Sequence, residues 1–250
     1  MRGNSLIDGT RNLTRDALFD GNLTVFQEKE GYRFSVDAVL LAGLTRIRPV
    51  DRIVELGTGC GVVALVLAHR RKTKHKIFGI EIQAELAGLA RRNVEENALT
   101  ARIEICEMDF RDASRRFAPE SFDLILSNPP YRKTGSGRIN PNRQKAIARH
   151  ELASTLPDLF SAAWRLLPQG GRIALIYPAA RIGHLLCCAN AGGFSPKRLR
   201  IIYSRPGGPG RLVHLECSKG GGEEATIEPP FYIYREDGEF SDTMLELYKE

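Results

Sequence analysis

From about residue 52 the chain alternates short runs of β-branched and apolar residues with longer runs of helical periodicity, and this alternation limits the fold more than any other feature. "RIVEL" (52–56) precedes "GVVALVLAHRR", and "KIFGIEI" (76–82) precedes "QAELAGLARRNVEENAL". "RIEIC" (102–106) and "FDLILS" (122–127) follow, then a helical "ELASTLPDLFSAAWRLL" (151–167), "GGRIALIYP" (170–178) and a helix-like "AARIGHLLCCANAG". Strand, helix and strand at this spacing build βαβ units, which implies an α/β fold with a mostly parallel sheet and helices on both faces. Runs as apolar as "DLILS" and "IALIY" suit strands covered on both sides.

The end of the chain changes character. "PKRLRIIYS" and "RLVHLECS" flank "RPGGPG", whose Pro and Gly residues are turn chemistry, so these two strands are expected to pair antiparallel. The tail "FYIYREDGEFSDTMLELYKE" reads as a strand, a D-G turn and a short helix, and "SKGGGEE" (218–224) as a mobile loop. Residues 1–50 start no βαβ unit. Within them "DGNLTVFQEKEGYRFSVDAVLLAGL" predicts a hairpin and then a helix from near Ser35, a flank or lid to a catalytic domain spanning 51–250.

Length and composition set the outer limits. At 250 residues, 42% hydrophobic and 26% charged, the chain suits one globular domain with a small appendage. No apolar run approaches the roughly 20 residues that span a bilayer, and the start, "MRGNSLIDGTRNLTRD", lacks the apolar core of a secretory signal, so a cytoplasmic protein without a membrane partner is expected. Cys60, Cys106, Cys187, Cys188 and Cys217 show no CxxC or Cys/His spacing; they read as reduced thiols, and no metal is expected. The net charge of +6 is concentrated: Arg132, Lys133, Arg138, Arg143, Lys145 and Arg149 lie between Asn128 and His150 with no Asp or Glu among them, which leaves the rest of the chain near neutral.

The first strand ends in "VELGTGCG" (54–61), where Gly57, Gly59 and Gly61, with Thr58 between them, follow a strand and open a helix. Alone such a loop is weak evidence for a ligand. Glu81, next to Ile82 at the end of the second strand, can accept hydrogen bonds from ribose hydroxyls. Asp109, next to Phe110 after the third strand, can reach an adenine edge. Ligands of open α/β sheets bind at the carboxyl ends of the strands, so Glu55, Glu81 and Asp109 are expected to converge on one crevice. Glu55 would repel a pyrophosphate and tolerate a zwitterion and a sulfonium, which favours S-adenosylmethionine over a dinucleotide.

At the end of the fourth strand stands "NPPY": Asn128, Pro129, Pro130 and Tyr131. With "ELGTGCG" some seventy residues earlier, the chain over about residues 30–180 resembles the class I S-adenosylmethionine-dependent methyltransferases, in the amino-methylating branch marked by (N/D/S)-PP-(Y/F/W). The resemblance implies a Rossmann-like, seven-stranded sheet with an antiparallel last strand. The residue types suit methylation of an exocyclic amine or an amide. Asn128 Oδ1 and the Pro129 carbonyl can accept the two amino hydrogens, the prolines fix φ, and Tyr131 supplies a stacking surface.

That signature is shared by DNA and RNA adenine-N6 methyltransferases and by the glutamine-N5 methyltransferases of release factors. The latter carry a helical domain ahead of the glycine loop, for which the first fifty residues leave little room. "GYRFSVDAVLLAGL" (31–44), "VELGTGCGVVALVLA", "FDLILSNPPY", "RQKAIARHE" (143–151) and "REDGEFSDTM" resemble the bacterial tRNA adenine-N6 methyltransferases that modify the anticodon loop of valine tRNA. This resemblance implies that Arg33 and Asp37 line the amino-acid end of the cofactor. The expectation is therefore an enzyme that N6-methylates an adenine in tRNA, with Arg132, Lys133, Arg138, Arg143, Lys145 and Arg149 holding RNA phosphates. Glutamine methylation and an inactive RNA-binding protein of the same fold are the alternatives. The oligomeric state is left open.

Overall fold

The computed structural model describes residues 13–29, 36–130 and 154–249. Its centre is a twisted sheet in the order β5-β4-β3-β6-β7-β9-β8. The members are β3 (Ile53–Leu56), β4 (Ile77–Glu81), β5 (Ile103–Glu107), β6 (Leu124–Ser127), β7 (Arg172–Pro178), β8 (Phe194–Tyr203) and β9 (Gly210–Lys219). All pairs are parallel except those made by β9, which lies antiparallel to both β7 and β8. The seven-stranded sheet and the terminal hairpin expected from the sequence are thus present. Two further two-residue strands, β10 (Thr226–Ile227) and β11 (Phe231–Tyr232), extend the outer edge by pairing with β8; they are too short to leave a periodic trace.

Alternation along each strand divides the core. Ile53, Leu124, Leu126, Ala174 and Ile176 face one layer, while Val54, Leu56, Ile125, Ile173, Leu175 and Tyr177 face the other. The first layer holds α1 (Val36–Leu44), α2 (Val62–Arg70) and α3 (Ala84–Glu96), with α6 (Asp242–Tyr248) packed on α1. The second holds α4 (Leu156–Leu166) and α5 (Ile182–Ala191). In α4 the buried Leu156, Leu159, Phe160, Ala163 and Leu166 recur at helical spacing. Its start is set by a capping box: the Thr155 hydroxyl accepts from the Asp158 N–H, and the Asp158 carboxylate accepts from the Thr155 N–H at 2.8 Å.

The hairpin near the start differs from expectation. Its strands are β1 (Leu13–Leu18) and β2 (Leu23–Glu28), so the first strand lies upstream of the segment that suggested it. Polar Thr14, Arg15 and Asp16 hide that strand from a reading based on apolar runs. The turn uses Phe19, Asp20 and Gly21 in left-handed backbone conformations. On the other side, β2 is clasped by α3. Asn97 donates to the Thr24 carbonyl at 2.7 Å and accepts from the Thr24 N–H at 2.8 Å. One helical turn earlier, Asn93 does the same to Phe26, at 3.0 and 2.7 Å. Two asparagines spaced i, i+4 thus act on the free edge of β2 as a neighbouring strand would.

The glycine-rich stretch 218–224 is a second departure, because it is pinned rather than loose. Ser195 Oγ donates to the Gly221 carbonyl at 2.6 Å, Lys197 Nζ to the carbonyls of Gly222 and Glu224, and Gly220 N–H to the Gly193 carbonyl at 3.0 Å. Cys60, Cys106 and Cys217 are buried, whereas Cys187 is exposed. Among the described residues no helix is long and apolar enough to cross a membrane.

Candidate active site

The parallel strands end on one side of the sheet, and the chain between β3 and α2 turns there. Gly57, Gly59 and Gly61 have φ of 75°, 57° and 86°, a region costly for residues with a Cβ. The loop amides are already engaged. Gly57 and Thr58 donate to the Ile80 carbonyl at 2.9 and 3.0 Å, Gly61 to the Thr58 carbonyl at 2.9 Å, and Gly59 to Glu81 Oε2 at 2.8 Å. A phosphate-binding loop presents such amides to its ligand; this one has turned these four inward. Gly79 in β4 makes the packing possible, since a Cβ there would meet Thr58 at 3.0 Å.

Glu55 needs a correction. Its position in β3 places it under the loop, 2% exposed, and burial pushes its carboxyl up to about 8, with the hydrogen bonds of Thr58 and of the Ala64 amide pulling the other way and Glu81 nearby adding to the rise. Thr58 Oγ1 lies 2.5 Å from Glu55 Oε2. At neutral pH this group is mostly uncharged, so the charge argument against a pyrophosphate does not hold for it. The inward-facing amides supply a better one. Glu55 ties the strand end, the loop and the first turn of α2 together.

The other expected residues are distributed as follows. Glu81 is buried, accepting from Gly59 through Oε2 and from the Gln83 N–H through Oε1 at 2.9 Å. Ile82 beside it is 43% exposed, an apolar surface at the strand end. Asp109 begins a short 3-10 turn (Phe110–Arg115), and its oxygens accept from Arg111: the backbone N–H at 2.9 Å, Nε at 2.8 Å and a terminal nitrogen at 2.5 Å. Burial works to raise the Asp109 carboxyl, but the Arg111 bonds outweigh it and hold the group below the usual carboxylate range. Phe110 packs against the second core layer. Asp37 lies in the first turn of α1, and the next residue, Ala38, reaches the crevice. Asn128 follows β6 and lines that narrow crevice with Ala38, Glu55, Gly57, Thr58, Cys60, Val62 and Val63. Arg33, Tyr131, His150 and the cations Arg132, Lys133, Arg138, Arg143, Lys145 and Arg149 lie outside the described residues.

The sequence did not point to Asn93. Besides clasping β2, its amide donates to the Cys60 carbonyl at 2.9 Å, which links the hairpin, α3 and the glycine loop. Nor did it point to Arg111 or Ser127, whose hydroxyl donates to the Leu56 carbonyl at 2.8 Å and locks the ends of β3 and β6 together below Asn128. The partners of Asn93 and Ser127 are far apart along the chain and leave no local pattern, whereas Arg111 stands only two residues from Asp109.

A family model described as the methyltransferase small domain matches residues 35–180, the span that holds the glycine loop, Glu81, Asp109 and Asn128. The chain belongs to that family. Two curated relatives, both named tRNA1(Val) (adenine(37)-N6)-methyltransferase, align over most of this methyltransferase. The protein from Tolumonas auensis is 29% identical over 90% of this chain and 91% of its own length. The protein from Bacteroides thetaiotaomicron is 31% identical over 76% and 78%. Among solved structures, a predicted O-methyltransferase from Agrobacterium tumefaciens superposes with a TM-score of 0.69 at 24% identity, covering 85% of this chain and 95% of that one, which speaks for the fold.

The methyltransferase uses S-adenosylmethionine, and the residues present fit such a ligand. Glu81 offers carboxylate oxygens for ribose hydroxyls, exposed Ile82 offers an apolar platform for a flat ring, and the left-handed Gly57 has nothing within 4 Å of where its Cβ would stand, so a ligand can approach its backbone. Among the described residues no group of His, Cys, Asp and Glu could hold a metal ion.

Proposed function

We propose that this methyltransferase acts on the exocyclic N6 of an adenine in tRNA, in the cytoplasm where tRNA is found. The observation that carries the reading is the position of Asn128, directly after β6 and in one lining with the glycine loop. An adenine amino group is planar and weakly nucleophilic because its lone pair is delocalised into the ring. Acceptors that take both of its hydrogens favour the tetrahedral nitrogen that can attack. Asn128 Oδ1 and the Pro129 carbonyl are assigned that role, and Pro129 and Pro130, with φ fixed near −65°, hold the carbonyl's direction. Tyr131 is assigned as the stacking ring, a contact worth about 1–3 kcal/mol for a base.

When bound, S-adenosylmethionine supplies an electrophilic methyl group on its sulfonium. The protein's part is to orient the amine in line with it, and no side chain is assigned as a general base. Glu81 is assigned to the ribose hydroxyls, Arg33 and Asp37 to the amino-acid end, and the six cations from Arg132 to Arg149 to RNA phosphates. Residues 1–50 are proposed as a flank to a catalytic unit of residues 51–250. The names of the Tolumonas and Bacteroides relatives support tRNA and adenine as the acceptor.

The test is to incubate the enzyme with labelled S-adenosylmethionine and either an unmodified tRNA transcript or a release factor, and then digest the product. N6-methyladenosine is expected from the RNA. Label in methylglutamine, with none in the RNA, overturns the proposal.

A further inference from the structure

A second basic patch lies among the described residues. Arg205 and Arg211 bracket the turn between β8 and β9, where a shallow crevice is lined by Ser204, Arg205, Gly208, Pro209, Arg211 and Tyr234. That lining contains no carboxylate; the exposed Glu236 and Glu239 of the tail are not part of it. Neighbouring arginines are engaged: Arg198 and Arg200 by Glu216 and Glu228, and Arg235 by Asp237 and Asp242. Among the described residues, Arg205 and Arg211 have no such ion-pair partner.

The topology puts this turn on the substrate side. β8 runs parallel to β7, so its carboxyl end, and hence the turn, lies at the sheet end where Asn128 follows β6. Ser127 is level with Leu175 of β7, and Pro178 of β7 is level with Leu212 of β9. Arg211 therefore stands two strands across and about three residues along from Asn128, on the order of 15 Å away. The patch is also held in shape. Tyr234 and Ile233 donate their N–H groups to the carbonyls of Ser204 and Tyr203, both at 2.9 Å, and the Tyr234 ring stacks on Phe240 with centroids 5.3 Å apart and planes 15° apart. Gly238 leaves room for Arg205, whose terminal nitrogen lies 3.3 Å from where a Cβ would stand.

Two guanidinium groups without ion pairs, beside a partly exposed aromatic ring and fixed by backbone bonds, match a nucleic-acid strand: phosphates for the arginines, a base or sugar for the ring. We infer that the β8–β9 turn is a second RNA contact of this enzyme, with Arg205 and Arg211 holding phosphates of the strand that flanks the target nucleotide and Tyr234 lying beneath it. This inference rests on the tRNA reading and assigns a role to the glycine-rich "RPGGPGR" stretch.

The experiment measures binding without turnover. Anisotropy of a fluorescent unmodified tRNA transcript is followed against wild type, the Arg205→Ala/Arg211→Ala double variant and the Arg205→Lys/Arg211→Lys double variant, at several salt concentrations. The alanine variant is expected to bind about tenfold more weakly, with the slope of log affinity against log salt smaller by about 1.4 to 2, the signature of two lost phosphate contacts. The lysine variant should stay within about threefold of wild type, and S-adenosylmethionine affinity should be unchanged in both. Wild-type affinity and slope in the alanine variant overturn the inference, as does absence of tRNA binding by the wild type. The digestion assay judges the acceptor separately: RNA methylation with an unaffected alanine variant sinks only this inference, and RNA binding through these arginines without methylation sinks only the acceptor.

Discussion

Glu55 is buried beneath the glycine loop, where it accepts hydrogen bonds from Thr58 and from the Ala64 amide of α2. In the unfolded chain its carboxyl titrates near 4.5 and in the folded protein at about 8, so between these pH values the folded state keeps a proton that the unfolded state has released. Its contribution to stability is therefore greatest below about pH 4.5 and declines as the pH rises towards 8. Glu55→Gln keeps the shape and removes the titration. Its melting temperature relative to wild type should climb between pH 5 and 8 and then level, and a pH-independent difference would refute the assignment. His214 behaves oppositely. Burial, aided by Arg198 and Arg200, pushes it down to about 3, and because the Thr45 hydroxyl donates to the Leu41 carbonyl at 2.6 Å, the His214 Nε2–H donates to Thr45 Oγ1 at 3.1 Å. The neutral ring's contribution is complete above pH 6.5 and is lost as the pH falls towards 3. His214→Gln should flatten the dependence of melting temperature on pH in that window. On the proposed mechanism, replacing Asn128 by alanine removes an acceptor for the amino hydrogens during methyl transfer. Methyl transfer should fall about 100-fold or more, while S-adenosylmethionine affinity measured by calorimetry stays within about twofold.

At the scale of elements, the clasp between α3 and β2 is open to test. Each asparagine makes two hydrogen bonds to the strand edge, and each such bond contributes about 0.5–1.5 kcal/mol net. Asn97→Ala should destabilise by about 1–3 kcal/mol and let a protease cut near the hairpin, without changing cofactor affinity. Asn93→Ala also releases the Cys60 carbonyl and should weaken cofactor binding as well. Equal cofactor affinity in the two variants would mean that the hairpin and the glycine loop are independent. Elements of this kind also mark where sequence reading stops. "QAELAGLARRNVEENAL" is legible as a helix because its apolar residues repeat, yet Asn93 and Asn97 look like ordinary polar positions until a strand some seventy residues upstream is placed beside them. The buried strands, the terminal hairpin and the glycine loop were legible for the same reason that α3 was: their signals are local. The protonation of Glu55 and the anchoring of residues 218–224 are tertiary, and composition suggested something different for both.

Across the whole molecule, the meeting of Gly57, Glu81 and Asn128 needs no special device. It follows from parallel strands that share one carboxyl end, so a correct parallel topology already brings them to the same end of the sheet. The position of β9 has a different kind of consequence, one that concerns time. Until Gly210–Lys219 has been synthesised, β7 has no partner on its outer side, and its buried residues Ile173 to Tyr177 flank an open edge. A chain cut before Gly210 should retain every proposed catalytic residue and still aggregate, which sedimentation of the truncated protein would reveal; a soluble, monomeric product would contradict it. A nascent chain with its methyl-transfer residues already made thus stays incomplete until the strand that closes the sheet leaves the ribosome.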